Sequence, residues 1–145
     1  MKRSTAFETP RLFIDTWGWL VLADSKDPAH QKAVAARRLH RAFVTTDYVL
    51  DETITRLFAR CPFPIAQAFV EGVFNARDAG ALAIELITPG RFAKAWKLRL
   101  RYRDKPQISF TDLTSFVVMT ELRVPYVLTS DSHSAKAQLG FQILP

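Results

Sequence analysis

The sequence predicts an α/β fold: a three-layer α/β/α sandwich around a mostly parallel, five-stranded sheet. Three observations lead there. Short apolar or β-branched runs alternate with longer segments of helical periodicity, as in repeated strand–helix units. The runs are apolar without polar alternation, which suits parallel strands buried on both faces. The 145 residues are 48% hydrophobic and 23% charged, enough for one ordinary core. There is no internal repeat, low-complexity tract or linker, so residues 1–145 read as a single domain.

Residues 1–10 form a polar lead-in, with Pro10 delaying the first strand, Leu12-Phe13-Ile14, which ends on Asp15. Residues 17–23, bulky and apolar, predict a short helix closing over the sheet. Asp27-Pro28 reads as an N-cap with Pro at the first helical position of a helix running to Arg41. Phe43-Val44-Thr45-Thr46 is a second strand, and Asp47 is placed as the N-cap of a helix over 48–60. That helix carries Leu50, Ile54, Leu57, Phe58 and Cys61 as its apolar stripe. Cys61-Pro62-Phe63-Pro64 breaks the chain before a helix over 65–77.

A third strand spans 82–87. Thr88-Pro89 opens a helix rich in Arg and Lys, residues 104–110 form a loop, and 111–123 is a helix apolar nearly all round, hence central and buried. Residues 125–129 make the fourth strand, leading into Ser130-Asp131. Residues 140–144 make a short fifth.

Lys and Arg total 20 against 14 Asp and Glu, a net charge of +6, which favours a polyanionic partner such as nucleic acid. No run approaches the length needed to span a membrane. Met1-Lys2-Arg3-Ser4-Thr5 has no apolar stretch behind it, so no secretory signal is expected. The single Cys61 suits a reducing, cytoplasmic setting and reads as a small residue packed near a helix end.

Four carboxylates stand out by position. Asp15 follows the first strand, Glu52 lies in the first turns of the helix after the second, Asp112 opens the buried helix, and Asp131 follows the fourth strand. In a parallel sheet, strand ends and the helix starts after them share one rim, where open α/β sheets bind ligands. Gathered carboxylates repel one another and call for protons or a cation. An oxygen-only donor set favours Mg²⁺ or Mn²⁺ over Zn²⁺. Such a site suits phosphodiester hydrolysis, in which a metal activates water and neutralises phosphate charge.

Each acid also has a plain structural reading. Asp131 can cap a short helix over Ser132-His133-Ser134-Ala135. Ser109 and Asp112 can form a variant capping box. Glu52 can pair with Arg56 four residues on. For Asp15, nothing in the local sequence demands a carboxylate.

Phe13-Ile14-Asp15-Thr16, residues 45–53, Ser109-Phe110-Thr111-Asp112 and Leu128-Thr129-Ser130-Asp131 stand in the order of the PIN-domain family. The sequence resembles PIN domains over residues 11–145, and more narrowly the VapC toxins of toxin–antitoxin pairs. His133 and Gly140-Phe141 fit the same C-terminal pattern, whereas Ser134 stands where an aromatic often follows the His. The resemblance implies a Mg²⁺- or Mn²⁺-dependent endoribonuclease that acts on RNA, forms a homodimer and is held in check by a small cognate antitoxin. It implies Asp15, Glu52 and Asp112 as holders of the principal metal, with Asp131 completing the site or binding a second ion. Thr129 and Thr16 would be supporting hydroxyls, Thr129 orienting a carboxylate or the attacking water.

Asp104 lies where some relatives have an extra acid and reads here as a solvated charge; His133 reads as support or packing. For the RNA backbone the candidates are Arg37, Arg38 and Arg41 on one helix and Lys94, Lys97 and Arg101 on another. Trp17 and Trp19 read as packing residues before base-stacking ones. A phosphatase that uses its first Asp as a nucleophile is disfavoured, because Trp17 stands where its second Asp would be. The remaining rivals are a catalytically silent PIN-like module binding RNA or protein, and an RNA-processing nuclease outside any toxin system.

Overall fold

The computed structural model describes residues 10–130 and 142–144. The chain runs β1 (Leu12–Ile14), α1 (Thr16–Ala23), α2 (His30–Arg38), β2 (Phe43–Thr46), α3 (Asp47–Arg60), α4 (Phe63–Asp78), β3 (Leu82–Glu85), α5 (Pro89–Arg101), α6 (Phe110–Leu122), β4 (Tyr126–Leu128) and β5 (Gln142–Leu144). The five strands lie in the order β3-β2-β1-β4-β5, and each neighbouring pair is parallel. Leu12, Phe13 and Ile14 are 0%, 0% and 1% exposed. Successive side chains of a strand point to opposite faces, so this burial requires cover on both sides of the sheet.

The strand order reverses at β1. The chain steps outward from β1 to β2 and β3, then crosses back to lay β4 on the other side of β1. The carboxyl ends of β1 and β4 therefore flank a topological switch point, the usual ligand position in open α/β sheets. α6 is the buried helix expected: every residue from Leu113 to Met119 is out of solvent. It shares a second apolar cluster with α5, built on Ala95, Ile108, Leu113, Phe116 and Val117. Cys61 closes α3, part-buried beside Leu57 and Ala66, as its packing role predicted.

Several boundaries differ from the sequence reading. α2 starts at His30, not at Pro28, because the Asp27 carboxylate accepts the Ala29 amide (2.8 Å) and holds a turn before the helix. It ends at Arg38, short of Arg41. Beyond it His40 turns inward, its Nδ1 2.6 Å from the Pro10 carbonyl and its ring against Tyr126. Asp47 is not the cap of α3. The extended residue Thr46 caps it, accepting the Val49 amide at 3.0 Å, which leaves the Asp47 carboxylate to accept the Ile87 amide at 2.9 Å. That bond takes Ile87 out of the ladder, and β3 stops at Glu85.

The buried face of α3 is Val49, Leu50, Thr53 and Leu57, a face turned slightly from the predicted stripe. Ile54 and Phe58 are only part-buried. β5 begins at Gln142; Gly140 and Phe141 lie outside the described residues. Among the described residues no helix is long and apolar enough to cross a membrane.

Candidate active site

Asp15 leaves β1 at the switch point and is 5% exposed. The structure supplies the local reason for a carboxylate that the sequence did not: Asp15 is the N-cap of α1, its Oδ1 accepting the Gly18 amide at 2.9 Å. Gly18 is required on other grounds. A Cβ there would lie 2.6 Å from the Leu128 carbonyl oxygen, so only glycine lets α1 pack against the end of β4. The first turn of α1 is thus pinned to the two central strands.

Thr16, the first residue of α1, donates its Oγ1 proton to Glu52 Oε1 at 2.5 Å. This bond joins the end of β1 to α3 across the rim. The other carboxylate oxygen of Glu52, Oε2, lies 3.3 Å from an Arg56 guanidinium nitrogen, so the ion pair anticipated from the i,i+4 spacing is present. Asp112 stands in the first turn of α6, where Ser109 Oγ accepts its amide at 3.0 Å. This is the Ser109 half of the predicted capping box, and Asp112 itself is part-buried.

Asp15, Thr16, Glu52 and Asp112 line one polar cleft of about 380 Å³. Asp27, in the turn before α2, lines it too, so four separated segments deliver carboxylates to the same space. As they are placed, no three His, Cys, Asp or Glu side chains among the described residues stand close enough together to grip a metal ion. Glu52 is turned to Thr16 and Arg56. Asp131 and His133 lie outside the described residues. Thr129 is fully buried at the end of β4, its amide donating to the Leu144 carbonyl at 2.9 Å. Asp104 is an exposed loop residue beside Lys105, 3.5 Å away.

None of the six cations singled out for RNA lines this cleft. Arg37 borders an apolar groove with Trp19, Phe43 and Phe69, and Arg38 and Arg41 are exposed outside the cleft. Lys94, Lys97 and Arg101 flank a separate hollow between α5 and α6. Much of the basic character of α5 is structural. Arg91 joins Glu85 and Glu121 at 3.0 and 2.9 Å, Lys94 joins Glu121 at 2.8 Å, and Arg99 donates to the carbonyls of Tyr102, Lys105 and Ile108. Burial opposes the charge of Arg91, but the hydrogen bonds to Glu121 and Glu85 outweigh it and raise its pKa.

The cations that do line the cleft are Arg56 and Arg60, and Trp17 lines it too. Arg60 was missed, though its signal was present: Glu52, Arg56 and Arg60 recur every fourth residue on α3. Trp19 packs, its Nε1 donating to Thr45 Oγ1 at 3.1 Å and its ring edge-on to Phe69.

No family model matches the chain, and no curated protein matches it. Among solved structures it is similar to VapC20 of Mycobacterium tuberculosis, described as a toxin that cleaves the sarcin-ricin loop. The TM-score is 0.79 and the identity 28%, over 92% of this chain and 99% of that one. The parallel sheet, the acids gathered at its switch point and this likeness agree: the chain is similar to the VapC toxins of the PIN-domain family.

Proposed function

We propose that the chain is an endoribonuclease and the toxin of a VapBC-type pair, hydrolysing RNA phosphodiesters with Mg²⁺ or Mn²⁺. One observation carries this reading: Asp15, Glu52 and Asp112, from three separate segments, line one polar cleft at the switch point of the sheet. The likeness to a toxin described as cleaving RNA in the sarcin-ricin loop supports it. The donors are oxygens, which fits a hard divalent cation. Asp15, Glu52 and Asp112 are the residues that would hold it, with Asp131 as the fourth. When bound, such an ion supplies a water of lowered pKa and neutralises charge on the phosphate.

The chain's own groups would do the remaining work. The Gly18 amide sets the orientation of Asp15, and the Thr16 hydroxyl orients Glu52. Thr129, buried at the strand end leading to Asp131, would orient its neighbours. A small antitoxin closing over the cleft and a homodimer belong to the same reading, as does a cytoplasmic setting.

A catalytically silent module is the second reading, favoured by the engagement of Glu52 with Arg56 and by the lack of a three-ligand cage among the described residues. One experiment separates the two: incubation of antitoxin-free protein with mixed tRNA and rRNA in Mg²⁺, Mn²⁺ or EDTA, alongside Asp15→Asn and Asp112→Asn. Discrete, EDTA-sensitive fragments bearing 5′-phosphate and 3′-hydroxyl ends, absent from both variants, are the expected outcome. Fragments with 2′,3′-cyclic phosphate would mean attack by the RNA's own 2′-hydroxyl and would sink metal-assisted hydrolysis. Intact RNA in all three conditions would favour the silent module.

A further inference from the structure

We infer that Arg56 and Arg60 form a phosphate-tracking wall beside the carboxylates, holding the RNA backbone on one side of the bond to be cut. The inference rests on the nuclease reading and gives its cleft a substrate path. Residues 52, 56 and 60 lie on one face of α3, each step of four advancing about 6 Å along the helix axis. Glu52, Arg56 and Arg60 all line the acidic cleft. A second, more open hollow, lined by Tyr48, Asp51 and Thr55, shares Glu52, Arg56 and Thr111 with the first. The two hollows therefore join at Arg56 into a trough that follows α3 past the carboxylates.

An acidic cleft repels a phosphate backbone unless cations flank it, and a guanidinium fork suits phosphate oxygens. Both arginines are available for that task. The side chain of Arg56 is 50% exposed, and its ion pair with Glu52 is a solvent-screened i,i+4 contact that contributes little to stability. Among the described residues Arg60 has no hydrogen-bond or ion-pair partner, in contrast to Arg91, Lys94 and Arg99, which are spent on the fold. Arg56 exchanges Glu52 for a phosphate when RNA enters, and Arg60, one turn further along, takes a neighbouring phosphate.

The test is the binding of a fluorescein-labelled single-stranded oligoribonucleotide, followed by anisotropy in EDTA over a salt series. Removing one phosphate contact to a single strand lowers the slope of log affinity against log salt by about 0.7. Arg56→Gln and Arg60→Gln should each show that loss and the double variant about twice it. Arg56→Lys, which keeps the charge, should retain the slope. Arg77→Gln, outside the cleft on α4, should leave it unchanged. An unaltered slope in the double variant, an equal loss in Arg77→Gln, or no binding by the unmodified protein overturns the inference. Cleavage by the unmodified protein in Mg²⁺ or Mn²⁺, run in parallel, keeps the two failures apart. Retained cleavage with an unaltered slope removes only the arginine wall, whereas absent cleavage removes the nuclease reading.

Discussion

Asp15 does two jobs with two oxygens. Its Oδ1 caps α1 through the Gly18 amide, and the carboxylate as a whole lines the acidic cleft. The two jobs come apart under substitution. Asn caps a helix about as well as Asp, so Asp15→Asn should melt close to the unmodified protein while losing cleavage. Asp15→Ala should lose cleavage as well and cost about 1 kcal/mol of stability through the missing cap. Thermal melts in EDTA measure this difference; equal melting of the two variants would mean the cap contributes nothing. Thr16 shows the same economy, opening α1 with its backbone and holding Glu52 with its hydroxyl.

At the scale of elements, α5 and α6 are joined by the second apolar cluster and by a clasp in which Arg91 and Lys94 both engage Glu121. The hydrogen bonds from Lys94 and then Arg91 hold the Glu121 carboxyl below its ordinary 4.5. A carboxyl lowered in the folded state stabilises the fold above its unfolded pKa and loses that contribution as pH falls through the folded one. Melting temperature should therefore decline as pH drops below about 4.5, with part of that decline absent in Glu121→Gln. Melts between about pH 3 and 6 check it, and an identical acid limb in the variant would show that the clasp carries no linkage. Three cations of this basic helix, Arg91, Lys94 and Arg99, face acids or carbonyls of the fold.

At the scale of the whole molecule, α5 leaves an apolar row in solvent. Phe92, Trp96 and Leu100 recur every fourth residue and are 46%, 53% and 47% exposed. An apolar row left in solvent offers a contact surface. It supports the proposed homodimer, with α5 of each copy facing the other. Trp96→Glu places a charge in the middle of the row and should shift the protein to monomer mass in light scattering at the same concentration. A dimer that survives the substitution would place the interface elsewhere.

Much of this molecule is legible in one dimension. The strands, the all-round apolar α6 and the order of the acids follow from local chemistry: side-chain period, Pro and cap residues, and carboxylates at strand ends. Those signals act within a few residues, so the sequence alone determined the layered parallel fold and named Asp15, Glu52 and Asp112 as cleft residues. What tertiary structure decided involves groups far apart in the chain. Strand order put β1 beside β4 and made their ends a switch point. The approach of Leu128 to Gly18 explains a glycine no local rule required. Thr46 caps α3, and Asp47 serves Ile87, forty positions away. The same distance separates charge from use. A count of Arg and Lys cannot tell a cation engaged by Glu121 from one facing the cleft, because the partner that decides it comes from another element.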